Sequence, residues 1–82
     1  MRLPRDLSGL ELARLLRRYG YEITRQTGSH LRLTSNIQGK AHHLTVPAHK
    51  EVRVGTLNAI LLSVEAYLEI DRQQLLKELF GA

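Results

Sequence analysis

The apolar spacing of this chain changes period twice, and that double switch limits the folds open to it. Leu12, Leu15, Leu16 and Tyr19 recur at three- and four-residue intervals, which places them on one helical face. Ser8-Gly9-Leu10-Glu11 reads as a capping box, in which Ser8 and Glu11 each serve an orphan backbone N–H. Gly20 supplies the left-handed stop on which helices commonly end. From Tyr21 the period falls to two. Strands are predicted from about Tyr21 to Gln26, His30 to Thr34 and Ala41 to Val46. Gly28-Ser29 is a turn, Ser35 to Lys40 a polar hairpin loop, and Pro47 a stop because it has no N–H to give a ladder. Helical spacing returns at Gly55-Thr56, with Leu57, Ile60, Leu61, Val64 and Leu68 as the stripe. Asp71 and Gln74 form a second capping signal, followed by Leu75, Leu76, Leu79 and Phe80 on a short last helix.

The predicted class is α+β, in the order α-β-β-β-α with an added C-terminal helix. Three strands with short connections make an antiparallel sheet that carries helices on one face and leaves the other open. Leu12, Leu15, Leu16, Ile23, Leu31, Leu33, Leu44, Val46, Leu57, Ile60, Leu61 and Val64 are the expected core. His30 and Arg32 then share the face opposite Leu31 and Leu33. One domain is expected over residues 1–82. A chain this short buries only about two-thirds of its unfolded surface, so no deep pocket for a large organic cofactor is expected.

Charge is unevenly spread. Met1 to Arg53 holds ten Lys and Arg against four Asp and Glu, while Val54 to Ala82 holds two against four. All four histidines fall between His30 and His49. A basic, histidine-rich region favours a polyanionic partner, with RNA or DNA first, although small domains are often basic without binding nucleic acid. The chain has no cysteine, which excludes disulfides, iron–sulfur clusters and thiolate zinc sites. A secreted domain of this size generally needs such cross-links, so a reducing cytoplasm is expected. No apolar run approaches the ~20 residues of a membrane span. The start, Met-Arg-Leu-Pro-Arg-Asp, lacks the apolar core of a signal peptide.

Two segments carry chemistry. In Arg25-Gln26-Thr27-Gly28-Ser29-His30, a Gly-Ser turn offers backbone N–H groups and a hydroxyl to a phosphate oxygen. His30 follows on the open face, where an imidazole can move a proton near neutral pH. Arg25, Arg32 and Lys40 are the cations expected to hold the anion. In Val46-Pro47-Ala48-His49-Lys50, His49 and Lys50 precede the helix opening at Gly55, whose free N–H groups and dipole also favour phosphate. Taken singly, each segment is explained more simply, as a turn with an exposed histidine and as a solvated basic loop. His42 and His43 point to opposite faces of one strand and are expected in surface or edge roles. No metal site is expected, since these histidines diverge and Glu51 is the only carboxylate between Arg25 and Val64.

Together the pieces resemble the HicA family of messenger-RNA interferase toxins, the toxic halves of HicA–HicB type II toxin–antitoxin pairs. The matching residues are Gly20-Tyr21 after an amphipathic helix, Arg25 to His30, Val46-Pro47-Ala48-His49 and Gly55-Thr56-Leu57, in register over about Leu10 to Leu61. The resemblance implies a fold like a double-stranded-RNA-binding domain and a cytoplasmic endoribonuclease acting in stress response. It places His30 at the family's catalytic Gly-Ser-His position and His49 at its Val-Pro-x-His position, the latter without a defined catalytic role. It implies mRNA as substrate, a HicB-like antitoxin as protein partner, and no cofactor. The expected chemistry is attack of a ribose 2′-OH on the adjacent phosphorus, with Gly28 and Ser29 binding the phosphate. The alternative is a non-catalytic RNA-binding module of the same fold. Three Tyr and one Phe are too few for a base-stacking platform, which leaves shape- and phosphate-based binding. A third reading is a scaffold that binds only protein. The segment from Asp71 to Ala82 and the Pro4–Leu7 start extend beyond the minimal family form.

Overall fold

Helix α1 (Gly9–Leu16) opens on the capping box read from the sequence. Glu11 N donates to Ser8 Oγ at 3.1 Å, and Ser8 N donates to Glu11 Oε1 at 3.0 Å. Those bonds to Ser8 hold the Glu11 carboxyl below its usual range. In the computed structural model, which describes residues 3–81, a short 3₁₀ turn (Arg17–Tyr19) follows and Gly20 ends it at φ +82°. Met1, Arg2 and Ala82, the ends of the expected 1–82 domain, lie outside the described residues.

Three antiparallel strands come next: β1 (Glu22–Thr27), β2 (His30–Ser35) and β3 (His42–Pro47), in the order β1-β2-β3. The central ladder runs from His30 opposite Pro47 to Ser35 opposite His42. Leu31, Leu33, Leu44 and Val46 are buried on one face, and the alternate residues His30, Arg32, His43 and Thr45 are exposed on the other. Helices α1 and α2 (Val54–Leu68) pack against β3, on the buried face. Leu57, Ile60, Leu61, Val64 and Leu68 of α2 meet Leu12 and Leu16 of α1 in one core that also holds Tyr19 and Tyr21. Each leucine buried there contributes ~1.5–3 kcal/mol relative to exposure. Asp71 Oδ1 accepts from Gln74 N at 2.8 Å and starts α3 (Arg72–Phe80), whose Leu75, Leu76 and Leu79 join the core. Tyr19 and Arg18 both donate to Glu78, to its carboxylate and its carbonyl oxygen respectively. The last helix is therefore locked to the end of the first. Among the described residues, no helix is long and apolar enough to cross a membrane.

The packing corrects three expectations. Ile23 is 49% exposed, not core. It lies opposite Leu33, on the buried face, but the helices cover β2 and β3 and leave the inner side of β1 open, and a bulge follows between Ile23 and Arg25. Leu15 is only partly buried, at the margin of the core. Ser35 is not a loop residue. It ends β2 fully buried, donates from Oγ to Tyr19 O at 2.7 Å and accepts from Ile37 N at 3.2 Å, so one hydroxyl joins the end of the α1 segment to the end of the sheet.

Candidate active site

Thr27 pairs with His30, so Gly28-Ser29 is a two-residue hairpin turn. Gly28 sits at φ +58°, the glycine-first arrangement of a type II′ turn. His30 opens β2 on the exposed face because its neighbour Leu31 is drawn into the core. The loop leaving β3 is then tied down on two sides. Ala48 N donates to Ser29 O at 2.6 Å, back toward the turn. Gly9 N donates to His49 O at 3.0 Å, and Val52 N donates to Leu7 O at 2.7 Å. Gly9 is buried, and a Cβ there would sit 1.9 Å from Pro47 O. Only glycine lets the first turn of α1 press onto the Pro47–Ala48 backbone and reach the His49 carbonyl.

These restraints form a cavity of about 460 Å³ lined by His30, Thr45, Pro47, His49, Arg53 and Thr56. Its size lies within the ~300–1,000 Å³ range of ligand clefts. Arg53 is the N-cap of α2, and no side chain caps the helix there. Arg53, the N-cap, and Thr56, in the first turn, both line the cavity, so the positive end of the α2 dipole lies close to the two imidazoles. Among the described residues no carboxylate lines the cavity. Among the described residues the His30 and His49 rings make no hydrogen bond. The cavity thus has the charge, the donors and the free proton-transfer groups that suit a phosphodiester.

The candidates named from sequence fall in four places. His30 and His49 meet in the cavity, while Gly28 and Ser29 form the turn that leads into His30 and do not line it. Arg25 and Arg32 are paired across β1 and β2 on the same open face as His30. Lys50 is exposed on the loop but does not line the cavity. Lys40 is a correction: it lies beside His42, at the opposite end of the sheet. Five residues of strand, about 16 Å, separate the two ends, so Lys40 does not share a phosphate with His30. Arg53, Thr45 and Thr56 were not singled out. The legible signals were the position of Arg53 just ahead of a helix start and the shared parity of Thr45 with His43.

The other two histidines are engaged. His43 Nδ1 bonds Thr34 Oγ1 at 2.9 Å, and Thr34 bonds Thr24 Oγ1 at 2.9 Å across the open face. His42 is half-buried, with Nδ1 at 2.7 Å from Tyr21 OH and Nε2 at 3.1 Å from Ser63 Oγ. It stacks on Tyr67, with centroids 4.5 Å apart and planes 10° from parallel. Burial, and then the charge of His43, push the His42 pKa below the usual histidine value. Burial, and then Tyr67, push that of Tyr21 upward. This cluster is structural. Among the described residues, no three His, Asp or Glu side chains converge as a metal cage would require.

The family model described as the HicA toxin of bacterial toxin–antitoxin systems matches residues 9–65, more than half of the 82. That span runs from α1 through most of α2 and takes in the whole cavity. No curated protein and no solved structure matches the chain at a significant level.

Proposed function

The chain belongs to the HicA toxin family of bacterial toxin–antitoxin systems, whose members are generally ribonucleases, and from that premise we propose that it is a cytoplasmic, metal-independent endoribonuclease that cleaves mRNA with His30. It acts as one toxin domain over residues 1–82. The observation that carries this reading is an exposed His30 with an unengaged ring, held in a carboxylate-free cavity at the N-terminus of a helix. In the proposed reaction a ribose 2′-oxygen attacks the adjacent phosphorus, the P–O5′ bond breaks, and a 2′,3′-cyclic phosphate and a 5′-hydroxyl result. His30 moves one of the two protons. Gly28, Ser29, Arg25, Arg32, His49 and Lys50 contact the phosphates, and Lys40, at the far end of the sheet, adds only longer-range attraction for the RNA. A HicB-like antitoxin covers the basic face and hides His30.

The test is cleavage of labelled RNA in excess EDTA by wild type and by His30→Ala. Shortened RNA with wild type alone supports the proposal. Activity lost with EDTA and restored by magnesium or zinc overturns metal independence. Intact RNA with salt-sensitive binding by wild type points to a binding module instead.

A further inference from the structure

We propose that His49 is the second proton-transfer residue, working with His30 as a complementary acid–base pair. The inference rests on the ribonuclease reading above and goes beyond phosphate contact. Cleavage by 2′-OH attack needs two proton movements, one off O2′ and one onto O5′. A single imidazole at one place serves both poorly, because the entering and leaving oxygens stand on opposite sides of the phosphorus.

The fold supplies two imidazoles from separate elements. His30 comes from the first position of β2, and His49 from the loop two residues past Pro47, the ladder partner of His30. Both line the same cavity, and both rings are free of partners among the described residues. His49 is exposed, so its ring is not needed for packing, yet its backbone is held by Gly9 N and the preceding residue by Ser29 O. A histidine placed this firmly by its main chain, with its ring left open, suits proton transfer better than core filling. Arg53 is the remaining charged group of the lining, and Thr45, Thr56 and Pro47 complete it. Among the described residues no other titratable side chain lines the cavity, and Arg32 and Arg25 lie beside His30 on the same open face. One imidazole takes the proton from O2′ as the O2′–P bond forms. The other, as imidazolium, gives its proton to O5′ as the P–O5′ bond breaks. The pair ends with its protons exchanged and is reset by water.

The experiment measures kcat, KM and the pH profile of RNA cleavage by wild type, His30→Ala, His49→Ala and His49→Gln, each checked for fold by circular dichroism. Wild type is expected to show a bell-shaped profile. Both His49 variants are expected to lose ~10²–10⁴ in kcat with KM within a few-fold, and to lose one limb of the bell. With an RNA carrying sulfur in place of the scissile 5′-oxygen, the leaving group needs no proton. Only one of the two alanine variants should then recover, the one lacking the acid. A His49→Ala rate within five-fold of wild type, a loss confined to KM, an intact bell, or rescue of both variants or neither overturns the assignment. Cleavage absent from wild type itself overturns the ribonuclease reading, and so separates the two failures.

Discussion

The two ends of the β2–β3 ladder carry the same residue type in opposite states. At the Ser35 end, His42 is bonded at both ring nitrogens and stacked on Tyr67. At the Pro47 end, His30 and His49 lie open over a cavity with no ring partner among the described residues. The first end closes the hairpin: Tyr67 OH donates to Lys40 O at 2.6 Å and accepts from Gln38 N at 3.0 Å. The second end is rigid in its main chain and unsatisfied in its side chains. A polar group left unsatisfied on a rigid frame is available to a ligand, whereas one already satisfied contributes to the fold.

Exchanging the alanine between the ends gives the largest contrast. His30→Ala is expected to lower RNA cleavage by ~10²–10⁴ with an unchanged melting temperature. His42→Ala should cleave within a few-fold of wild type once folded. Equilibrium urea unfolding should show it less stable by about 1–3 kcal/mol, because the buried Tyr21 hydroxyl loses its partner. Equal losses of activity would erase the distinction. A smaller effect falls on the support of the open end. Gly9→Ala drives a methyl into Pro47 O, and it should cost about 1–3 kcal/mol in unfolding while lowering cleavage through displacement of the His49 loop.

Salt dependence separates the ends more finely. Arg32 lies on the same face of β2 as His30, and Lys40 is at the far end. Arg32→Ala should reduce the slope of log affinity against log salt by about 1, measured by RNA titration, and Lys40→Ala by less. Equal slopes would mean that RNA runs the whole length of the sheet. The smallest effect is in pH. His42 titrates below 6.5 in the fold, so as pH falls through 6.5 the unfolded chain takes up its proton first. Stability is therefore complete above that pH, declines below it, and levels off beneath the folded-state value. His42→Gln should flatten this decline in melting temperature between pH 7 and 5.

Much of the fold was legible because its signals are local. The Ser8–Glu11 box, the left-handed Gly20, the Asp71 cap and the three runs of alternating residues each depend on neighbours within four positions. So did the choice of faces: with Leu31 and Leu33 inward, His30 had to point out. Strand ends were less legible, and β1 and β3 each begin and end one residue later than their spacing predicts.

What only the tertiary structure decided is which local features meet. Alternation puts Ile23 on the inner face, but the placement of the helices over β2 and β3 leaves it half in water. Polarity assigned Ser35 to a loop, and a single acceptor, Tyr19 O, drew it into the core. The basic residues around His30 were equivalent in sequence until the length of the ladder removed Lys40 and the start of α2 brought in Arg53 and Thr56. Gly9 marked only a helix entry until Pro47 O came within 1.9 Å of where its side chain would be. Period and capping follow from backbone geometry over a few residues. The cavity joins β2, β3, a loop and α2, and its contents depend on long-range packing that local spacing does not encode.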